Sequence, residues 1–240
     1  MTKILQLKIT LNGITPEIWR RFLVKDNIKF KELHEIIQTV MGWGDYHLYE
    51  FKIDDVSLTP DEHGYNAAEA SFKTLFQSPQ FMKMLEKSDL KKGSATLDIN
   101  KMNKILKDAE NNKVKNKYSL KTKLSEMLTK EKQEFYYIYD FGDNWEHTII
   151  VEKILDEAKE CPVCLEGERA CPPEDCGSVD GYYELVKIKK NKNHKYYKER
   201  IVEWLGEDHD FELFNLKDIN KKLLKHSIKI DGRTRYWVPK

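Results

Sequence analysis

A β-hairpin between Phe135 and Leu155 is the feature that most constrains the fold of this chain. Two runs rich in aromatic and β-branched residues, Phe135–Phe141 and Asn144–Leu155, are joined through the turn-forming residues Gly142 and Asp143. On the second run, alternate residues share one face: Trp145, His147, Ile149 and Val151. Such a period of two predicts strands with one buried face.

Further strands and helices surround this hairpin. Residues 3–11, 18–24 and 47–53 have the composition or alternation of strands, and Leu33, Ile36, Ile37, Val40 and Met41 form one apolar stripe on a helix over 30–41. Helical patterns return at 179–190, where Ser178 is the predicted N-cap, and at 196–205 and 216–224. The pattern predicts an α+β fold with a mixed or mainly antiparallel sheet and helices packed on it.

The chain is predicted to be a single domain over 1–240. Residues from about 58 to 118 are polar and only weakly periodic, so we interpret them as a partly helical insertion between core strands. A C-terminal helical part follows at about 179–225.

Composition excludes several classes of protein. The net charge of +1 argues against binding nucleic acid or an anionic membrane by bulk electrostatics. No apolar run reaches the roughly 18 residues of a membrane span, so we expect a cytoplasmic protein without a membrane partner. Lysine-rich stretches at 101–133 and 187–200 leave association with nucleic acid open, through phosphate contacts alone, because only six of the 41 basic residues are arginine.

All four cysteines lie close together in sequence. Cys161, Cys164, Cys171 and Cys176 have the spacing C-x2-C-x6-C-x4-C. Four thiolates at short spacing can hold zinc in a tetrahedral site, and His147 could replace one of them. Reduced, partly buried structural thiols are the alternative. Zinc is the one cofactor that the sequence indicates.

Acidic residues are concentrated in two places that also suggest a site. Asp140 and Asp143 lie in the hairpin bend with His147 just beyond, and Glu174 and Asp175 follow the rigid pair Pro172–Pro173. If the two segments meet, these five residues could hold a metal ion or position a water molecule. Alternatively, the aspartates accept hydrogen bonds within their own turn and His147 is a core residue.

Five separated motifs in this order resemble the Ri-plasmid open-reading-frame-three-like family. They are ITPEIWRRFLV, ELHEIIQTVMGWGDYHLYEF, YDFGDNWEHTI, CLEGERACPPEDCGSVDGY and EWLGEDHDFELFNLKDIN. The resemblance implies an α+β fold and a plasmid- or mobile-element-associated protein, and it supplies no reaction. Ser178 stands where the family pattern has a second glycine after PPEDCG, and Phe211 stands where the late motif has proline.

Three functions fit this sequence. The favoured one is a non-enzymatic module that binds a protein or nucleic acid through Arg20, Arg21, Trp43 and Trp145, with Arg20, Arg21, Trp43 and the Asp143 turn exposed together. The second is a metal-dependent, hydrolase-like enzyme using the acidic residues and His147. The third is a structural domain stabilised by zinc at the four cysteines.

Overall fold

The computed structural model describes residues 2–60, 115–156 and 160–230. Within them, eight strands form one sheet in the order β5-β4-β3-β6-β7-β1-β2-β8. The strands are β1 Ile4–Leu11, β2 Ile18–Lys25, β3 Tyr49–Ile53, β4 Val56–Thr59, β5 Lys115–Tyr118, β6 Glu134–Tyr139, β7 Trp145–Leu155 and β8 Val163–Glu168. All neighbours pair antiparallel except β4 and β5, which are parallel. The predicted α+β class is confirmed.

Five helical elements accompany the sheet in the described residues. They are α1 Phe30–Met41, a short 3₁₀ helix Leu124–Glu126, α2 Ser178–Lys189, a π-helix Lys198–Leu205 and α3 Leu216–Ile230. Helix α1 begins where the Glu32 carboxylate accepts a hydrogen bond from the Lys29 N–H at 2.8 Å, and it ends at Gly42 in the left-handed conformation. Its apolar stripe is buried together with alternate residues of the central strands. Helix α3 contacts both β8 and α1.

The hairpin between β6 and β7 has the predicted arrangement. Tyr139 pairs with Trp145 and Tyr137 pairs with His147, so the inward face of the two strands is aromatic and fully buried. Five residues, 140–144, make the bend, which brings Asp140 and Asp143 to one end of the sheet.

The predicted insertion at about 58–118 lies largely outside the described residues. Both ends of the insertion are described. They form strands β4 and β5, which pair with each other. Strand β8 was not predicted. It pairs with β2 through a register shift between Arg21 and Phe22, and only Cys164 of its side chains is buried. An edge strand of this kind has no alternating pattern that sequence could reveal.

The sequence predicts Ser178 as the N-cap of α2. In the structure, Ser178 is instead the first residue of the helix. Gly177 precedes the helix with φ 96°, and Ser178 itself has φ 65°. A residue with a Cβ atom is strained in this left-handed region, whereas glycine is not. The glycine that the family pattern has at this position would therefore fit better than serine.

We expect Ser178→Gly to raise the free energy of unfolding by about 0.5–1 kcal/mol, because the relief of strain exceeds the entropy that glycine loses on folding. Urea unfolding followed by circular dichroism measures the change. Ser178→Ala is the matched control, since it keeps the Cβ atom and should bring no gain. Equal stability of the glycine and alanine variants would contradict the strain at this position.

Candidate functional site

The loop after α1 is fastened to the loop that contains Pro172 and Glu174. The buried indole of Trp43 donates a hydrogen bond to the Pro172 carbonyl at 3.0 Å, and the Gly44 N–H donates one to Glu174 Oε1 at 2.8 Å. These contacts place His47, three residues further along, against the acidic loop. The two loops therefore form one end of the sheet together.

The hairpin bend is fastened to the same loop. Asp140 has φ 55°, and its Oδ1 accepts a hydrogen bond from the Gly142 N–H at 2.9 Å. Asp143 Oδ2 accepts one from the Gly177 N–H at 3.0 Å. Asp140 thus makes the predicted turn within the bend, whereas Asp143 joins the bend to the start of α2.

One histidine and three carboxylates converge between these loops. His47 Nε2 lies 3.3 Å from Asp175 Oδ1, 3.7 Å from Asp140 Oδ2 and 3.8 Å from Glu174 Oε2. Ligand atoms of His47, Asp140 and Asp175 all lie within 4.8 Å of one another. Atoms that bind one ion at about 2.1 Å are about 3.0–3.5 Å apart. The His47–Asp175 distance lies within this range, and the distances from His47 to Asp140 and Glu174 exceed it by a few tenths of an ångström. We call these four residues the His47 cluster.

Two atoms of the His47 cluster have no hydrogen-bond partner. His47 Nε2 and Glu174 Oε2 are both inaccessible to solvent and make no hydrogen bond among the described residues, although they lie 3.8 Å from each other. Buried polar atoms without partners are rare because losing water costs about 1–3 kcal/mol per group. A cation between the carboxylates and the imidazole would satisfy both atoms at once.

Tyr139 holds Glu174 in place. Its hydroxyl donates to Glu174 Oε1 at 3.0 Å and accepts from the Tyr46 N–H at 3.0 Å. Oε1 therefore has two donors, and Oε2 alone is directed toward His47. Burial raises the pKa of Glu174, and the neighbouring Asp175 adds to the rise, whereas the Gly44 N–H and the Tyr139 hydroxyl oppose it.

His147 lies outside the His47 cluster. It is fully buried on β7, with Nδ1 3.1 Å from the Tyr137 carbonyl and its ring edge-on to Trp43 at 5.2 Å. Burial lowers its pKa to about 4, so the imidazole is neutral and Nδ1 is the donor. His147 is therefore a core residue and does not reach the acids.

The residue that sequence reasoning missed is His47. The stretch His47–Ile53 was interpreted as a strand, with the histidine as its first residue, but β3 begins at Tyr49. His47 therefore lies in a connecting loop between exposed Tyr46 and Leu48. A histidine in a connecting loop is more often available to bind a ligand than one inside a buried strand. The position of His47 at the start of the predicted strand was therefore the sequence signal that could have identified it.

The residues predicted to bind a partner are mostly buried. Arg20, Trp43 and Trp145 are 2%, 7% and 1% exposed, so the prediction that Arg20, Arg21, Trp43 and the Asp143 turn are exposed together is wrong. Arg20 projects from the inward face of β2, and its guanidinium donates hydrogen bonds to backbone carbonyls. Arg21 is on the other face, paired with Glu152 and Glu166. A binding role for these four residues stays a prediction.

The four cysteines form no disulfide, and they do not assemble as a ligand group. No three of them come within mutual ligand distance in the described residues. Strand β8 directs Cys164 into the core, where its Sγ lies 3.6 Å from the Arg21 carbonyl. Burial raises the pKa of Cys164 to about 11 and that of Cys176 to about 12, and it raises the pKa of Cys171 strongly. The geometry therefore supports the structural-thiol alternative, and no cysteine joins the His47 cluster.

A family model confirms the resemblance that the motifs indicate. The model of the plasmid pRiA4b ORF-3-like protein matches residues 3–218. This chain belongs to the plasmid pRiA4b ORF-3-like family.

Relatives agree with that membership. The chain is 29% identical over 224 residues, 92% of its length and 91% of the relative's, to an uncharacterised protein, y4hQ, of Sinorhizobium fredii. It is also similar to the crystal structure of a protein of unknown function, MM3350, from Methanosarcina mazei Go1. That likeness has a TM-score of 0.64 and 32% identity, over 91% of this chain and 98% of the other. The fold is thus one that other proteins of this kind share.

Across the described ranges, the chain contains no helix that is both long and apolar enough to cross a membrane.

Proposed function

We propose that this protein is a divalent-metal-dependent enzyme of hydrolytic type, with the metal held by the His47 cluster. The observation that carries the proposal is the convergence of His47 Nε2 with carboxylate oxygens of Asp140 and Asp175, next to a third carboxylate, Glu174, whose buried Oε2 makes no hydrogen bond. An arrangement of this kind costs free energy without a cation, because like charges repel and buried atoms lack partners.

The type of ligand limits the metal. One imidazole nitrogen with two or three carboxylate oxygens suits first-row ions such as Mn²⁺, Fe²⁺ or Zn²⁺. Calcium is less suitable, because it takes six to eight oxygen ligands and rarely imidazole. We use Mn²⁺ as the test ion since its binding is detected directly by electron paramagnetic resonance.

The burial of the ligands leaves one side of the metal open. Asp140 and Glu174 are 11% and 18% exposed at their side chains, whereas Asp175 is 71% exposed. A water molecule bound on the Asp175 side would be in contact with solvent and substrate. A divalent ion lowers the pKa of such a water by several units, which makes hydroxide available near neutral pH.

Glu174 would complete the ligand set. Its Oε2 faces His47 Nε2 at 3.8 Å, and Tyr139 and Gly44 fix its orientation through hydrogen bonds to Oε1. Substrate hydrolysis by the activated water is then the chemistry that the arrangement supports best. A binding module is less well supported, because Arg20, Trp43 and Trp145 lie in the core.

The metal site is tested by titrating the purified, metal-free protein with Mn²⁺. We expect one ion per chain, and at least tenfold weaker binding in Asp140→Asn, because a neutral amide replaces a charged ligand. Asp143→Asn is the matched control: Asp143 lies in the same bend but hydrogen-bonds Gly177 instead of facing His47, so its affinity should equal that of the wild type.

Hydrolysis is tested on the same three proteins with p-nitrophenyl acetate and p-nitrophenyl phosphate. We expect Mn²⁺-dependent release of nitrophenol from at least one ester, lost in Asp140→Asn and on chelation, and retained in Asp143→Asn. Absence of Mn²⁺ binding, or equal affinity in Asp140→Asn and wild type, would refute the site. Metal binding without hydrolysis of either ester would refute the enzymatic part.

A further inference from the structure

A groove adjoins the His47 cluster on its exposed side. It has a volume of about 480 Å³ and lies between the acidic loop and the π-helix. Its lining is Asp175, Glu199, Arg200, Glu203 and Trp204. Asp175 belongs to both the groove and the cluster, so a molecule in the groove would contact one of the four cluster residues.

Arg200 is the distinctive residue of this groove. Its side chain is half-buried, and its guanidinium lies 5.3 Å from the centre of the Trp204 ring. Among the residues that the structure describes, no carboxylate lies within ion-pair distance of it, although Glu199 and Glu203 line the same groove. Glu203 instead pairs with Lys198 at 3.4 Å. The donors of Arg200 are thus available to a ligand.

Arg200 on the π-helix and Asp175 on the acidic loop line the same groove. The charge of Arg200 is therefore carried on the side of the groove that adjoins the loop supplying two carboxylates of the His47 cluster. A π-helix, the rare form that carries Arg200 and Trp204, occurs frequently at functional sites.

We infer that this groove is the substrate subsite of the proposed metal centre and that its substrate is a phosphate ester with an aromatic or planar organic group. The inference rests on the proposed function. A guanidinium matches the oxygens of a phosphoryl group in geometry and charge. Trp204, which is 44% exposed, offers a ring for the organic group to stack on.

The reaction is hydrolysis without oxidation or reduction. With the metal bound, a water oxygen would attack phosphorus while the bond from phosphorus to the ester oxygen breaks. The proton lost by the water would go to solvent on the exposed side, and the leaving oxygen would take up a proton from solvent. Inorganic phosphate and the free alcohol are the products. Arg200 would neutralise charge that develops on the phosphoryl oxygens.

Electrostatics makes the inference specific. Without a metal ion, Asp175, Glu199 and Glu203 surround Arg200 with negative charge, which repels a phosphate dianion. A divalent ion at the His47 cluster would offset two of the negative charges and could bind a phosphoryl oxygen directly. Phosphate binding should therefore require the metal, whereas a cationic ligand would bind better without it.

The test uses the full chain and three probes: phenyl phosphate, inorganic phosphate and phenylacetate. Isothermal titration is done with and without saturating Mn²⁺. We expect phenyl phosphate to bind the Mn²⁺-loaded protein only, about tenfold tighter than inorganic phosphate because of stacking on Trp204. Phenylacetate should bind at least tenfold more weakly than phenyl phosphate.

Variants on the π-helix locate the site. Arg200→Gln should weaken the binding of phenyl phosphate and of inorganic phosphate at least tenfold while leaving Mn²⁺ affinity unchanged. Trp204→Leu should weaken the binding of phenyl phosphate alone. Lys195→Gln is the matched control, because Lys195 is an exposed cation just before the π-helix, lies over the ring of Tyr196 at 4.4 Å and does not line the groove.

The outcomes separate this inference from the proposed function. If Mn²⁺ binds but phenyl phosphate does not, or if Arg200→Gln binds it as tightly as wild type, the inference is overturned and the metal centre stands. If phenylacetate binds as tightly as phenyl phosphate, the assignment of the substrate as a phosphate ester is overturned. Failure to bind Mn²⁺ overturns both.

Discussion

Replacing Arg20 with methionine is expected to lower the free energy of unfolding by about 3–5 kcal/mol. The guanidinium is 2% exposed and donates to four backbone carbonyls, those of Trp19, Val40, Glu168 and Arg169, at 2.6–2.8 Å. Methionine fills much of the same volume but donates nothing. Carbonyl groups from β2, the end of α1 and the end of β8 would then be left without this donor.

Arg21 is the control for this prediction, since it is the next residue on the same strand. Its guanidinium pairs with Glu152 and Glu166 at the surface, where an ion pair contributes about 1 kcal/mol or less. Guanidinium chloride unfolding of Arg20→Met, Arg21→Met and wild type compares the two. Equal losses for both variants would show that the buried hydrogen bonds of Arg20 do not stabilise the fold.

Acidification should destabilise the protein through His147. Its pKa is about 4 in the folded protein, because burial disfavours the charged form, and about 6.5 when unfolded. Between these values the unfolded chain binds a proton that the folded chain does not, so stability falls as the pH falls from about 6.5 to 4. The loss attributable to this residue is about 2 kcal/mol from pH 7 to pH 5 and about 3 kcal/mol by pH 4.

The variant His147→Gln separates this effect from other acid-sensitive groups. Glutamine keeps a polar side chain on β7 but does not titrate, so its stability should fall less steeply over the same interval. Urea unfolding at pH 7, 5 and 4 measures both proteins. If the free energy of unfolding falls equally with pH in the variant and the wild type, His147 takes up its proton equally in the folded and unfolded states.

Much of the fold could be predicted because its core strands and helices have regular patterns. The alternation in Ile4–Leu11 and Trp145–Leu155 and the apolar stripe of Phe30–Met41 each correspond to one element with a buried face. These patterns arise because each element buries one side, so that apolar residues recur at regular intervals in the sequence. Strands β4 and β8 have no such alternation, since one is buried throughout and the other is an edge.

The candidate site was predicted only in part, because proximity depends on how loops fold back. Asp140, Glu174 and Asp175 were named from their chemistry, and the structure places them together. His147 was chosen because it is close to Asp140 in sequence, but alternation along β7 directs it into the core. His47 reaches the acids through the contact between Gly44 and Glu174, which connects residues 130 positions apart. No local pattern reports such a contact.

The His47 cluster takes its donors from three connections: the one after α1, the β6–β7 bend and the one before α2. None of these segments holds more than two of the four side chains, so no fragment of the chain has the ligand set. A bound ion would consequently act as a tertiary cross-link, clamping three remote parts of the polypeptide at one end of the sheet.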